Sequence, residues 1–291
     1  MTSISDRLFV ALNVTLLFII TLLALFPLYY VFAVSFTDPT EFLRKGLVLF
    51  PTDWSLISYQ YLLSNRSFLD ATLVSGFLAL VGTACSLVIT SAGAYALSRK
   101  RLRGRRIMLL GILLTILFHP GMIPHYLLVR DLGLINSVWA LILPVLTSGW
   151  YVLLMKGFFD SIPSELEEAA KIDGCTDVGI FFRIILPLSM AALAAFGLFY
   201  AVAYWNTFFS GVLYINDPDK RPLQVLLQIM LIDGSGVASG DFMNSIASEM
   251  TIPSETAKMA AVVIATVPIL AVYPFLQKHF AKGAMIGSVK G

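Results

Sequence analysis

Six stretches of this chain are long and apolar enough to cross a bilayer as helices, and nothing else in the sequence restricts the fold as strongly. A hydrocarbon core needs about 20 apolar residues in helical form. Segments 9–34, 71–97, 107–128, 138–157, 188–213 and 257–277 meet that length. Only 13% of the residues are charged, against about 25% in soluble domains. The expected class is therefore all-α and integral to the membrane, a single membrane domain over residues 1–291 with six transmembrane helices. The first run could pass for a signal peptide, but it exceeds the 7–15 apolar residues of a signal core and no small-residue cleavage site follows. It is read as a true span, bent at Pro27.

Lys and Arg in the connecting segments set the orientation. SRKRLRGRR (98–106) holds six of them and no acid. With the N-terminus, segment 158–187 and the C-terminal KHFAKGAMIGSVKG, it marks the cytoplasmic face, so both termini are expected there. The opposite segments, 35–70, 129–137 and 214–256, hold fewer bases and more acids. The first suggests a partly ordered cap. The last carries turn signals (NDPDKRP, DGSG) and a short helix, PLQVLLQIM. Both are ordinary connectors or contacts for an external partner. No repeat or low-complexity tract is present.

Several chemistries lack their parts. There is no HExxH, no CxxC and no glycine-rich loop ending in Lys-Ser or Lys-Thr, so no catalytic residue and no metal ligand is assigned. Cys85 and Cys175 are expected at different levels and unpaired. Ion-coupled carriers place ionisable groups at mid-membrane, yet no Asp, Glu, Lys or Arg falls in a span interior, with Lys258 at the mouth of the last span. His119 and His125 flank the prolines of FHPGMIPHYLL, either as a proton-linked or substrate-contacting pair or as interfacial groups beside a proline-broken helix end. In the fifth span, FYAVAYWNTFFSGVLY brings Tyr204, Trp205, Asn206, Thr207 and Ser210 close together. Aromatic faces suit sugar rings and an Asn can bond hydroxyls. An interface belt and an interhelical hydrogen bond would explain the same residues.

One acidic island interrupts this pattern, EEAAKIDGCTDVGIFFRIILPL (167–188), where acids outnumber bases against the positive-inside bias. Ser164 reads as a helix N-cap with Glu165 and Glu167 in the first turn. Gly174 marks a stop where a left-handed backbone is tolerated. A second helix, Asp177–Ile185, follows with Val178, Phe181, Phe182 and Ile185 as its apolar side, and Pro187 marks entry to the next span. The small Ala169 and Ala170 would let another protein approach, and Glu168 offers it a charge. A solvated amphipathic loop is the plainer alternative.

Glu168, Ala169, Ala170, Gly174, Ile184, Leu186 and Pro187 stand at the spacing of the EAA motif, and in this the chain resembles the permease subunits of ATP-binding-cassette importers. LGLINSVWALILP (132–144), the Trp205–Asn206 pair and YPFLQKHFAKGAMIGSVKG extend the likeness to the carbohydrate branch, the MalG-type permeases. The stretch IPSETAKMAAVVIATVPILAVYPFLQKHFAKG is most similar to the LplC-like subgroup. The resemblance implies a type I importer permease whose island is a coupling helix gripped by an ATP-binding subunit. Glu168 would then pair with a basic residue of that subunit, Ala169 and Ala170 would allow close docking, and Gly174 would make the turn, with Asp173 beside it in the coupling set. Ile184, Leu186 and Pro187 would complete the motif. The tail, Gly287, Ser288, Val289, Lys290 and Gly291, would reach toward the interface between two ATP-binding subunits.

The implied partners are a companion permease, two ATP-binding subunits, an extracytoplasmic solute-binding protein, membrane lipid and an oligosaccharide. Nucleic acid is not expected. No cofactor is expected on this chain, since ATP and Mg would sit on the partners. The implied location is the bacterial cytoplasmic (inner) membrane. Relatives of the LplC-like kind are associated with complex, sometimes acidic oligosaccharides, which points to fragments such as alginate; a neutral sugar is the alternative. Two other classes compete. A stand-alone secondary carrier would transport without ATPase partners. A non-transporting membrane scaffold would have no need of the fifth-span polar cluster.

Overall fold

The computed structural model describes residues 4–233 and 255–287. Among the described residues helix dominates, and the one extended pairing is an isolated antiparallel bridge between Thr37 and Trp54. Three helical stretches are long and apolar enough to cross a membrane on their own: Leu8–Ser35, Arg66–Ser98 and Glu255–Val272. Three bent helix pairs bring the number to six.

Three of the segments expected from hydropathy are bent pairs of helices and not single helices. Segment 107–128 divides into α6 (Arg105–Leu117) and α7 (Met122–Asp131), turned 116° against each other. Pro120 lacks an N–H and disfavours helical backbone at His119, and Gly121 takes φ +83°. His119 is exposed at this break. Segment 138–157 becomes two 3-10 turns, Val138–Leu141 and Leu143–Val145, followed by α8 (Gly149–Asp160) at 52°. The fifth span is α12 (Met190–Trp205), which meets Asp177–Leu188 at an 83° bend. It stops at Trp205 instead of running to residue 213, because Asn206 takes the cap position and α13 (Phe209–Tyr214) starts anew.

The chain forms two compact units, residues 1–69 with 227–268 and residues 70–226 with 269–291. In the first, α1 (Ile4–Ser35) keeps exposed flanks until Tyr30, then buries Ala33, Val34 and Ser35. A cap follows, made of α2 (Pro39–Lys45) and α3 (Ile57–Ser64). Asp38 caps α2, its carboxylate accepting from the Thr40 N–H at 2.9 Å, with Pro39 at the first helical position where a missing N–H costs nothing.

The buried Glu41 carboxylate holds the cap together. It accepts from Lys45 Nζ at 2.7 Å, from the Thr52 N–H at 3.1 Å and from the Asp53 N–H at 2.9 Å. The Lys45 hydrogen bond, then those backbone donors, hold its pKa at about 2 against an ordinary 4.5. A depressed carboxylate stabilises above its unfolded pKa and loses that contribution as pH falls through the folded one. Limited proteolysis of the 46–56 loop should therefore find wild type better protected than Glu41→Gln at neutral pH. The difference should shrink as pH drops from about 4.5 toward 2. In the same unit Lys258 lies in the first turn of α15 (Glu255–Gly287), buried, with Nζ 2.7 Å from Glu255 Oε1.

The second unit packs α5 (Thr83–Ser98) against α8 and α12. α4 (Arg66–Phe77) runs into α5 through a π turn at Leu78–Gly82. Buried hydroxyls bridge the helices: Ser86 and Tyr204 share a hydrogen bond of 2.9 Å, and Thr90 pairs with Tyr200 at 2.7 Å and Thr147 at 2.9 Å. Where water is absent, such groups must find one another.

Candidate functional site

Two sites emerge in the second unit, at opposite ends of α12. The first is the acidic island. Its leading helix, α9 (Ser164–Ile172), starts one residue earlier than expected: Pro163 holds the cap position and no side chain caps it. Ser164 is thus the first helical residue. The C-terminal end is a Schellman motif: Gly174, at φ +79°, donates to the Lys171 carbonyl at 3.0 Å, and Cys175 donates to Ala170 at 2.9 Å. Two residues after Gly174, Thr176 Oγ1 accepts from the Gly179 N–H at 3.2 Å and caps α10 (Asp177–Ile180). A π turn, Phe181–Ile185, and α11 (Leu186–Leu188) complete the segment.

Its faces differ from the sequence expectation. Glu167 and Ala170 turn inward, while Glu168, Ala169, Ile172 and Asp173 are exposed. Ala170 packs with Tyr95, Phe159 and Ile180, so the small surface left open is at Ala169. In the second piece the buried residues are Ile180, Phe181 and Ile185, whereas Val178 and Phe182 are exposed. The π turn inserts an extra residue per turn and so shifts the apolar face. Ile184 and Leu186 are half-buried and Pro187 is exposed.

Arg99, just past α5, holds the island in place. It forms an ion pair with Glu167, donates from Nη2 to the Phe159 carbonyl at 3.4 Å and from Nε to Ser98 Oγ at 2.9 Å, and lies 4.8 Å above the Tyr95 ring. Burial lowers its pKa, yet arginine remains charged, so Glu167 faces a permanent cation. A second ion pair, Arg101 with Asp177, is exposed. An open cleft of about 850 Å³ runs between this basic segment and α9, with Arg99, Arg101, Arg105, Asp160, Glu167 and Glu168 on its walls. Reading 98–106 only as a topology signal missed this role.

The second site is a cavity of about 350 Å³ at the other end of α12. Tyr204, Asn206, Thr207 and Ser210 line it, with Tyr151, Tyr200, Ser148, Phe208 and Phe209. Trp205 does not: it is buried on the other side of the helix end. Asn206 is held by its own amide, which donates to the Val202 carbonyl at 2.9 Å, and its Oδ1 accepts from Gln224 at 3.3 Å. Tyr151 and Tyr200 lie in contact at 4.9 Å between ring centroids. Among the described residues no charged side chain reaches the lining. The tail from Ser288 to Gly291 lies outside the described residues; Gly287 ends α15.

Residues 86–285 match the family described as the binding-protein-dependent transport system inner membrane component. The chain belongs to this family. It is 48% identical to the polygalacturonan/rhamnogalacturonan transport system permease protein YtcP of Bacillus subtilis, covering 98% of this chain and 99% of that one. Protein LplC of the same organism is 44% identical over 99% and 96%. A crystal structure of a bacterial ABC transporter involved in the import of the acidic polysaccharide alginate includes a chain that superposes at TM-score 0.86. That chain is 33% identical, with 96% of this chain and 99% of the other covered. As a member of this family, the chain is an inner-membrane permease component of an ABC transporter, one part of a larger transport complex. The matched region contains both the Arg99-held island and the aromatic cavity.

Proposed function

We propose that this chain is the permease subunit of an importer for oligosaccharides, preferentially fragments of acidic polysaccharides, and that residues 164–188 couple it to ATP hydrolysis. The observation that carries the reading is the island's geometry: a short helix closed by a Schellman turn at Gly174, held from within by Arg99 and presenting Glu168 and Ala169 outward. An ATP-binding subunit would grip that outward edge, with Glu168 paired to a basic residue. The assembly has a companion permease, two ATP-binding subunits that carry ATP and Mg, and an extracytoplasmic solute-binding protein. Both termini and the island lie in the cytoplasm. Closure of the ATPase pair moves the coupling segments as rigid bodies and opens the cavity outward, and hydrolysis restores the inward state.

The acidic substrate class follows from the named relatives, which include permeases for polygalacturonan and alginate. The cavity favours a different emphasis, since tyrosines, Asn206, Thr207 and Ser210 suit hydroxyls and ring faces, not carboxylates. Competition for uptake between oligogalacturonate and its neutral counterpart separates the two. In the same assay Asn206→Leu removes the one amide on the wall; uptake should fall about tenfold, the value of one lost hydrogen bond at roughly 1.4 kcal/mol, with the protein still folded.

Co-purification tests the coupling reading. Gly174→Pro cannot adopt φ +79° and removes the N–H bonded to Lys171. Wild type should bring down an ATP-binding subunit and a second permease; the variant should keep the permease and lose the ATPase. A variant that retains the ATPase, or a wild-type chain that purifies alone, would reject the assignment and favour an independent carrier.

A further inference from the structure

The outer cap carries an apolar edge that the import mechanism leaves unused. Exposure along α1 changes over one turn: its described flanks are bare through Tyr29, Tyr30 and Val31 are half-buried with Phe32 still open, and burial is complete at Ala33. Counting the roughly 20 residues of a hydrocarbon core from Leu8 places its far boundary near Pro27–Tyr29. Two contacts hold the loop after α2 at that same height. The Tyr29 hydroxyl donates to the Leu49 carbonyl at 2.7 Å, and the Tyr29 and Phe50 rings lie 5.8 Å apart.

The loop arrives there because Gly46, at φ +66°, ends α2 and reverses the chain. Phe50 is 77% exposed and Leu43 82%, with Leu47 and Trp54 also bare. Polar groups sit apart from them: Glu41, Lys45 and Thr52 bond to one another. The cap thus has one apolar edge at the level where α1 leaves lipid, and one polar network behind it.

We infer that the 43–54 segment lies in the headgroup–acyl boundary of the leaflet far from the N-terminus, with Leu43, Leu47 and Phe50 in lipid. Tyr and Trp favour this layer, and apolar side chains facing water there would gain nothing. The segment is a monotopic anchor that fixes the cap's height. A solute-binding protein docking on this edge is the competing occupant.

The test uses the assembled transporter in phosphatidylcholine vesicles. Phe50 and Leu43 are replaced separately by a genetically encoded azidophenylalanine in an otherwise unchanged chain, and the azide is joined to a bimane dye. Leu43 is 82% exposed, so the second site reads out even where the label at Phe50 disturbs the loop. Shallow nitroxide-labelled lipid is expected to quench both sites about threefold more than aqueous iodide does, with emission unchanged on adding solute-binding protein. Iodide quenching equal to or above that of the lipid, or a blue shift that requires the binding protein, overturns the inference.

Discussion

Replacing Arg99 with alanine is expected to destabilise the protein by about 3–5 kcal/mol and to abolish nearly all ATP-driven uptake. The Arg99 and Glu167 side chains are 14% and 9% exposed. Removing one partner leaves the other as an unpaired buried charge, which costs far more than the pair contributes. The same change frees the Phe159 carbonyl and uncovers the Tyr95 ring. Arg101→Ala is the natural comparison. Its pair with Asp177 is more than 40% exposed on both sides, and exposed pairs contribute about 0–1 kcal/mol. Arg99→Met with Glu167→Leu should recover most of the stability, because an apolar pair of similar volume replaces the ions. Thermal unfolding of the purified complex, alongside uptake, reads all three. If Arg99→Ala melted with Arg101→Ala, the clamp would not be holding the island.

Gly82→Val should have the second largest effect, at the other site. A side-chain carbon on Gly82 would lie 2.7–2.8 Å from three ring carbons of Tyr204. That ring cannot easily retreat, since its hydroxyl is bonded to Ser86 and the residue is buried. Overpacking of this kind costs about 1–3 kcal/mol, more where the neighbour is pinned. Because Tyr204 also forms the cavity wall, uptake should drop by at least about tenfold for each 1.4 kcal/mol of displaced wall. Gly93→Ala, in the same helix, meets nothing within 4 Å and should be neutral or slightly stabilising, as alanine is the better helix former. Adding Tyr204→Ala to Gly82→Val should restore the melting temperature but not uptake. Equal tolerance at Gly82 and Gly93 would remove Tyr204 from the account.

Residue types revealed the spans and the island; partners distant along the chain were not visible. Length and apolarity mark six candidate crossings, because a bilayer imposes one requirement on each; three correspond to continuous helical stretches and three to bent pairs. The bends were harder to read. Pro120–Gly121 could be seen in the sequence, but its 116° angle depends on packing. Gly174 announced its turn, since few other residues accept positive φ. Glu167 resembled any first-turn acid, and its cation sat in a loop whose charge already had an explanation. Phe182 was assigned to the wrong side because the π turn breaks the 3.6-residue period that such assignments assume, whereas Ala170, in the regular helix α9, turns inward onto Tyr95 and Phe159, partners distant along the chain. Nothing in the sequence sets Tyr151 and Tyr200 apart from other aromatics of the spans, and Trp205, the most conspicuous residue of its cluster, is absent from the cavity wall.

The back-to-back caps at Gly174 and Thr176 have a mechanical consequence. Ordinary loops absorb displacement, because their backbone groups are bonded to water and can exchange partners. Here Asp173, Gly174 and Cys175 give their N–H groups to Ala169, Lys171 and Ala170, Thr176 Oγ1 holds the Gly179 N–H of α10, and little slack remains. Under the proposed coupling, a push at Ile172 would be passed on instead of damped as far as the 83° bend before Met190. In the coupling proposed above, the island would act as a stiff crank, and Ser189 is where its stroke would become rotation of the helix that walls the cavity.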